Sequence, residues 1–289
     1  MGNLRLFAVC VAIWGSTWLA IKYQLGHVAP EASVAYRYLV ASLIVFAYCA
    51  ARRLPLRFPL REHAWIALFG ALMFCVSYIF VYYAEEHLVS GLVAVGYSAS
   101  PLLGAAGQRL FFGTRMSRRV IAGSLLGVAG ITLVFWPEFA HVRGGGDTAL
   151  GALYTVLAVV ISTLGSMAAH RNNDAKLPLW GTMAWGMLYG SLLSFAAALA
   201  AGKALTFEAT PGYVISLFYL AILGSVVAFA SFLTLLKRIG AARAGYIGVM
   251  VPIVALVISA VFEGFHWAAL TWAGIAVSVA GNVIILRRI

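Results

Sequence analysis

Charged residues are scarce in this sequence: Asp, Glu, Lys and Arg make up 10% of its 289 residues, against about 25% in soluble domains. Hydrophobic residues supply 63%, and the mean hydropathy is +0.95. A soluble fold of this length cannot hide that much apolar surface. The composition therefore excludes a soluble protein and indicates that lipid surrounds most of the chain.

Acidic residues are the rarest charged type, with nine Asp and Glu against twenty Lys and Arg, for a formal net charge of +11. The basic residues form short clusters between apolar runs. This distribution orients a protein in a membrane, so we expect no nucleic-acid partner.

The three cysteines, Cys10, Cys49 and Cys75, lie in apolar segments without metal-like spacing and are typical of small buried hydrophobic residues. The run "EEH" at 85–87 has no second cluster at metal-ligand spacing, so we interpret it as a solvated cap at a helix end. The stretch "GYSAS" at 96–100 lacks the last glycine of a serine-hydrolase elbow. The sequence predicts no metal site and no cofactor, and we do not expect an enzyme.

Ten apolar stretches approach the length of about 20 residues that a helix needs to cross a bilayer. The first continues to about Leu25, beyond the apolar part of a signal peptide, so we expect a membrane helix there. The sequence predicts an all-α integral membrane protein with ten transmembrane helices at 4–25, 32–51, 64–84, 88–110, 118–136, 149–169, 179–201, 212–236, 242–262 and 267–286.

The loops of this bundle are alternately rich and poor in basic residues. Sixteen Lys and Arg lie on the side of the termini, three lie on the other, and only Arg37 falls clearly inside a span. Because cytoplasmic loops carry the excess of Lys and Arg, both termini are predicted to be cytoplasmic.

The two halves of the chain match at an offset of 151 residues, which pairs Pro101 with Pro252 and Gly113 with Gly264. We predict two five-helix units, 1–140 and 148–289. Because five is odd, the second unit is inverted, a plan typical of transporters. Small residues spaced by four, at 123–127 and 274–278, predict close helix packing within the bundle, and a homodimer through one of these faces stays open as an alternative to a monomer.

Pro101 and Pro252 fall inside predicted spans, where a proline removes a backbone hydrogen bond. The freed carbonyls are expected on Tyr97 and Gly248, and they could accept hydrogen bonds from a solute in a polar cavity. The alternative is that each proline only kinks its helix. A hinge role fits both interpretations.

Several motifs together resemble the EamA branch of the drug/metabolite transporter superfamily. These are "AIWGSTWLAIK" in helix 1, a proline followed by "YRYLVA" in helix 2, and the mid-helix prolines of helices 4 and 9, each before a glycine-rich helix. Within that branch the chain is most similar to YddG-type exporters of aromatic and other amino acids. The resemblance implies a multi-pass carrier of the bacterial cytoplasmic (inner) membrane that exports amino acids and related metabolites.

Aromatic residues at i, i+4 spacing share helix faces and are candidate walls of a solute cavity, although lipid-facing packing is the alternative for each. The candidate cavity residues are Trp14, Trp18, Tyr78, Tyr82, Tyr97, Ser98, Thr163, Trp185, Tyr246 and Gly248, with Pro101 and Pro252 as hinges.

Carboxylates are missing from the middle of every predicted span, and proton- or sodium-coupled carriers usually have one there. The sequence therefore favours a facilitator for a small neutral or zwitterionic solute that works by alternating access. Arg37 is either a snorkelling or structural residue or a ligand for a carboxylate. The alternative functions are a drug or purine/nucleoside exporter, with or without proton coupling, and a membrane scaffold or receptor without transport.

Overall fold

The computed structural model describes residues 2–113, 118–141, 146–244, 247–264 and 268–286. These residues form helices and contain no β-strand, which confirms the all-α prediction. The α-helices are α1 Asn3–Lys22, α2 Pro30–Ala51, α3 Leu60–Gly70, α4 Ser77–His87, α5 Ser90–Gly96, α6 Ser100–Phe112, α7 Arg118–His141, α8 Gly146–Asp174, α9 Leu179–Ala200, α10 Pro211–Phe218, α11 Ala228–Ala244, α12 Ile247–Phe262 and α13 Ala269–Leu286.

Three pairs of these helices are continuous rods with an irregular turn inside. A π-helical segment, Ala71–Val76, joins α3 to α4, and a second one, Tyr219–Val227, joins α10 to α11. A 3₁₀ turn, Tyr97–Ala99, joins α5 to α6. Single π-helical turns inside α-helices are uncommon and are often found at functional sites.

Six of the described helical segments are long and apolar enough to span a membrane: Asn3–Lys22, Pro30–Ala51, Leu60–His87, Asp147–Asp174, Leu179–Ala200 and Pro211–Leu235. Four shorter apolar helices accompany them: Ser90–Ala99, Ile121–Val134, Met250–Phe262 and Ala269–Gly281. Large apolar side chains such as Leu43 and Leu192 are more than half exposed in mid-helix. Such side chains suit contact with lipid.

The two predicted hinge prolines occupy different positions in their helices. Pro101 lies in the first turn of α6, directly after the 3₁₀ turn, where its missing N–H costs nothing. The carbonyl of Tyr97, which we expected to be free, accepts the backbone N–H of Ser100 in that turn. Pro252 lies inside α12. Gly248 lies in the first described turn of α12.

Helices α7 and α13 pack closely along their small residues. A Cβ atom on Gly130 would lie 2.5 Å from the backbone nitrogen of Ser278 and 2.6 Å from the carbonyl oxygen of Gly274. A Cβ atom on Gly281 would lie 2.4 Å from the carbonyl oxygen of Gly123. Only glycine allows backbones to approach this closely. The prediction that these small residues form a packing seam is confirmed.

The remaining helices enclose the interior of the bundle. Helix α2 packs on α9, and α4 packs on α8. Helix α1 packs against α11 and α12, and α5 packs against α12. Helices from both halves of the chain therefore surround the polar side chains described next.

Candidate functional site

A fully buried arginine lies at the centre of the first polar cluster. Arg37, on α2, is 1% exposed, and its guanidinium carbon lies 4.5 Å from the ring centre of Tyr78 and 5.2 Å from that of Tyr38. Its Nε atom donates to the hydroxyl of Ser225 at 3.1 Å. Its Nη1 atom has no hydrogen-bond partner among the described residues. We name these residues, together with Tyr82, the Arg37 cluster.

The π-helical segment Tyr219–Val227 brings this cluster together. The Ser225 hydroxyl donates to the carbonyl of Leu220 at 3.0 Å, so its oxygen is held toward Arg37. Next to it, the carbonyl of Gly224 accepts the indole N–H of Trp14 at 3.2 Å. Gly224 has no side chain to separate α1 and α2 from this segment. The irregular turn thus supplies one acceptor to α1 and one to α2.

An aromatic wall continues from the cluster toward α5. The ring of Trp18 lies 5.1 Å from that of Tyr97, and the Nε1 atom of Trp18 is buried without a partner in the described part of the chain. Trp14 packs against Phe229 and Phe232, each at 5.3 Å between ring centres. The rings fix the width of the interior because each has only two rotatable side-chain bonds.

Two adjacent tyrosines on α4 extend the polar contacts of the bundle interior. Tyr82 is fully buried and donates its hydroxyl to Oε1 of Gln24 at 2.5 Å. Tyr83 donates to the carboxylate of Glu31 at the start of α2. Both bonds connect α4 to the end of the bundle where α1 finishes and α2 starts.

A second polar cluster closes that end of the bundle. The Nζ atom of Lys22 donates to the carbonyls of Glu85 at 2.5 Å and Leu88 at 2.9 Å, and it lies 4.0 Å from Oε1 of Glu263. The backbone N–H of Ser90 donates to Oε1 of Glu263 at 3.1 Å, and its hydroxyl donates to the other oxygen. We name Lys22, Glu85, Ser90 and Glu263 the Lys22–Glu263 cluster.

Glu85 is buried, in contrast to the solvated cap that the sequence indicated. Its side chain is fully buried in the last turn of α4, and neither carboxylate oxygen has a partner among the residues described. The neighbouring Glu86 is exposed. The missed signal was the helical register, because Glu85 follows Tyr78 by seven residues and Tyr82 by three and shares their face.

Not every predicted cavity residue joins these clusters. Trp185 lies on α9, where its indole N–H donates to the carbonyl of Leu56 at 2.9 Å and its ring stacks on Tyr189. It therefore ties α9 to the connection between α2 and α3. Thr163 donates to the carbonyl of Val159 in its own helix at 2.8 Å.

Ser98, Gly248 and Tyr246 are the remaining predicted cavity residues. Ser98 is buried in the 3₁₀ turn beside Tyr97. Gly248 has open space around it, with no described atom within 4 Å of a Cβ atom placed there. Tyr246 lies outside the described residues. Arg37 cannot snorkel, because its charged end is buried with the rest of its side chain.

A cavity of about 510 Å³ lies apart from both clusters, between α5, α6, α7 and α8. Its lining is apolar and includes Leu103, Trp136 and Val156. Trp136 and Val156 are more than half exposed on the surface of the bundle. This cavity suits an acyl chain better than a polar solute.

Comparison with known proteins supplies a family. The model of the EamA-like transporter family matches the chain twice, at residues 3–136 and 149–287. The uncharacterized inner membrane transporter YedA of Escherichia coli (strain K12) is 27% identical over 288 residues, covering 97% of this chain and 89% of that protein. A probable amino-acid metabolite efflux pump of Salmonella typhimurium is 23% identical over 290 residues, covering 96% of this chain and 93% of that protein.

A solved crystal structure shares the fold, with a TM-score of 0.71 and 19% identity over 99% of this chain and 98% of that one. These findings confirm the predictions of a multi-pass transporter of the inner membrane and of a protein that is not an enzyme. The chain belongs to the EamA-like transporter family.

Proposed function

We propose that this transporter exports amino acids or closely related small metabolites and that the Arg37 cluster binds the solute carboxylate. The observation that carries the proposal is the buried guanidinium of Arg37, whose Nη1 donor has no partner in the described structure. An unpaired buried charge costs several kcal/mol. A carboxylate is the group that a guanidinium binds best, through paired charge-assisted hydrogen bonds.

The surroundings of Arg37 support a solute with a carboxylate and an apolar or aromatic body. The hydroxyl of Tyr38, next to Arg37, is a second buried group without a described partner. The rings of Trp14, Trp18 and Tyr97 offer flat apolar surface nearby. Electron-rich rings also attract an ammonium group through cation–π contact. The name of the Salmonella typhimurium relative, an amino-acid metabolite efflux pump, agrees with this chemistry.

The proposed architecture is ten spans in two inverted five-helix repeats, 1–140 and 148–289, with both termini cytoplasmic. The two family matches support two repeats. The π-helical segments start at Ala71 and Tyr219, which are 148 residues apart. Gly113 and Gly264 both have left-handed backbone, with φ of 68° and 69°, and are 151 residues apart.

The mechanism that we propose is alternating access, with Pro101 and Pro252 at the hinges. In the orientation given by the positive-inside rule, the Lys22–Glu263 cluster lies on the side away from the cytoplasm. It joins α1, α4 and α5 of the first repeat to the end of α12 in the second. Opening toward the outside would have to break its hydrogen bonds.

The test uses two solutes that differ only by the carboxylate. Purified protein in proteoliposomes would be assayed for uptake of radiolabelled phenylalanine and of phenethylamine, with the wild type beside Arg37→Gln and Arg37→Lys. Loss of a charge-assisted hydrogen bond costs about 1.5–3 kcal/mol, so Arg37→Gln should raise KM for phenylalanine about tenfold to a hundredfold. Arg37→Lys keeps the charge without the planar fork and should lie between.

Phenethylamine is the control solute, because it lacks the carboxylate. We expect little uptake of phenethylamine, and no further effect of Arg37→Gln on it. Equal uptake of the two solutes with an unchanged KM in Arg37→Gln would contradict the assignment. That result would favour a drug or purine/nucleoside exporter.

A further inference from the structure

The buried carboxylate of Glu85 is a group that the proposed solute site does not use. Both of its oxygen atoms lack a partner among the described residues, although the backbone carbonyl of the same residue accepts from Lys22 at 2.5 Å. The ammonium of Lys22 also donates to Leu88. Lys22 is thus committed to backbone carbonyls and to Glu263, and not to the Glu85 side chain.

The charged and titratable groups that face Glu85 come from four elements. Lys22 belongs to α1, Arg37 to α2, Glu263 follows α12, and Tyr82 lies one turn earlier in α4. Arg37 is held by Ser225 and two tyrosine rings, and Lys22 lies 4.0 Å from the carboxylate of Glu263. Lys22 and Arg37 are near enough to favour the ionised form, but neither donates a hydrogen bond to the Glu85 carboxylate, and Glu263 adds a negative charge near it.

An ionised carboxylate without hydrogen bonds is costly in such a place. The effective penalty for burying one ion in a protein is several kcal/mol, even after relaxation. Protonation removes the charge and leaves a neutral carboxyl group whose hydrogen bonds are incomplete, which costs about 1–3 kcal/mol. The arrangement with the Lys22–Glu263 cluster closed therefore favours the carboxylic acid form of Glu85.

Opening of this end would reverse that preference. Helix α5 contacts α12 closely: a Cβ atom on Gly91 would lie 2.9 Å from Cβ of Ser259 and 3.0 Å from Cδ2 of Leu256. Separation of α5 from α12 would break the bonds of Ser90 to Glu263 and admit water to Glu85. Hydrated carboxylates ionise readily near neutral pH.

We propose that Glu85 is a proton-binding site of the transport cycle, occupied when the Lys22–Glu263 cluster is closed and vacated when it opens. On opening, the O–H bond of the Glu85 carboxyl breaks, the proton passes to water, and a hydrated carboxylate remains. On closing, the carboxylate takes a proton back from water. Solute transport would then depend on pH, in contrast to the facilitator that the sequence favoured.

The size of the effect follows from linkage. If one proton is released on opening, the ratio of open to closed protein changes by at most tenfold for each pH unit. Raising the pH favours the open form, because the ionised group is stabilised there. The direction of transport in the cell rests on the proposed export of the solute. The proton site at Glu85 can be tested without any solute.

The assay measures opening directly, with a thiol placed behind the contact between α5 and α12. Ser259 is fully buried against Gly91, and its hydroxyl has no described partner, so Ser259→Cys removes no observed hydrogen bond. Labelling of Ser259→Cys by a water-soluble maleimide would be followed in detergent between about pH 6 and about pH 8. The labelling rate of Ser259→Cys is divided by that of Lys203→Cys, which places a thiol at an exposed position. This ratio corrects for thiol ionisation.

Matched variants test whether Glu85 is the group that binds the proton. With native Glu85, the corrected rate should rise by up to about a hundredfold over the two pH units. In Glu85→Gln it should stay low and independent of pH, whereas Glu85→Asp keeps an acid and should keep the response. The controls Glu86→Gln and His87→Gln change the two titratable neighbours and should behave as the parent. Protein without an added cysteine gives the background from Cys10, Cys49 and Cys75, which are buried.

Three results would overturn the proton site. They are a rate independent of pH with native Glu85, an unchanged response in Glu85→Gln, and loss of the response in His87→Gln. Because the assay contains no solute, a failure of amino-acid transport leaves its outcome intact. If phenylalanine is transported, the same variants should give the same order of pH dependence in proteoliposomes.

Discussion

Replacement of Gly224 by alanine tests whether the π-helical segment positions Arg37. A Cβ atom at residue 224 would lie 2.8 Å from Cγ2 of Thr17 and 3.4 Å from Nη2 of Arg37. Carbon atoms in ordinary contact are separated by about 3.5–4.0 Å, so the new methyl group would overlap Thr17 by roughly 0.7 Å. The Thr17 methyl cannot turn away freely, because the hydroxyl on the same carbon donates to the carbonyl of Trp14 at 2.9 Å.

The expected magnitude comes from opposing effects. Overpacking of a filled interior costs about 1–3 kcal/mol, and rotation of Thr17 would lose a hydrogen bond worth about 0.5–1.5 kcal/mol. Alanine gains about 1 kcal/mol over glycine inside a helix. We therefore expect Gly224→Ala to destabilise the folded protein by about 1–2 kcal/mol. We also expect a higher KM for phenylalanine, because α1 and Arg37 must shift to admit the methyl group.

The assay compares unfolding free energies in mixed micelles and KM in proteoliposomes. Thr17→Ser keeps the hydroxyl and removes the methyl group that overlaps, so the double variant with Gly224→Ala should recover most of both losses. Gly104→Ala is the matched control, because no described atom lies within 4 Å of a Cβ atom there. The reasoning is refuted if Gly224→Ala is as harmless as Gly104→Ala, or if Thr17→Ser restores nothing.

Two further pairs of substitutions separate packing from solute binding. Gly130→Ala would place a methyl group against the backbone of α13 at 2.5 Å and should lower folded yield and stability by more than about 3 kcal/mol. Gly127→Ala in the same helix meets no described atom within 4 Å and should be tolerated, and detergent unfolding would compare the two. Trp185→Phe removes the hydrogen bond to Leu56 and should cost about 1 kcal/mol of stability with KM unchanged. Trp14→Phe should instead raise KM, and similar KM values in these two tryptophan variants would contradict the placement of the site.

The position of a residue along the chain did not reveal its environment at the end of α4. Glu85 and Glu86 are adjacent and chemically identical, and both lie in the last three residues of α4. Successive residues on a helix point about 100° apart, so one carboxylate faces α1 and α2 and the other faces outward. The register from Tyr78 and Tyr82 contained this information, but only the packing of α1 and α2 against that face made it a buried site.

The irregular turns were also beyond sequence reasoning. A proline at residue 101 predicted a free carbonyl at Tyr97, but a 3₁₀ turn satisfied that carbonyl with the N–H of Ser100. The π-helical segment that places Gly224 and Ser225 has no proline, and its apolar sequence resembles that of its neighbours. Such turns depend on contacts with other helices more than on local preference.

The sequence by itself determined the environment and the general plan of this protein. Scarce charge and long apolar runs require lipid as the solvent, because no soluble core could enclose them, and the glycines of α7 and α13 marked a close seam. The tertiary structure alone decided which side chains meet. It brought Arg37 to Ser225, 188 residues away, and Lys22 to Glu263 at the far end of the chain. Contacts between distant helices arise from packing of whole faces, and the polar groups caught between those faces acquire their chemistry only there.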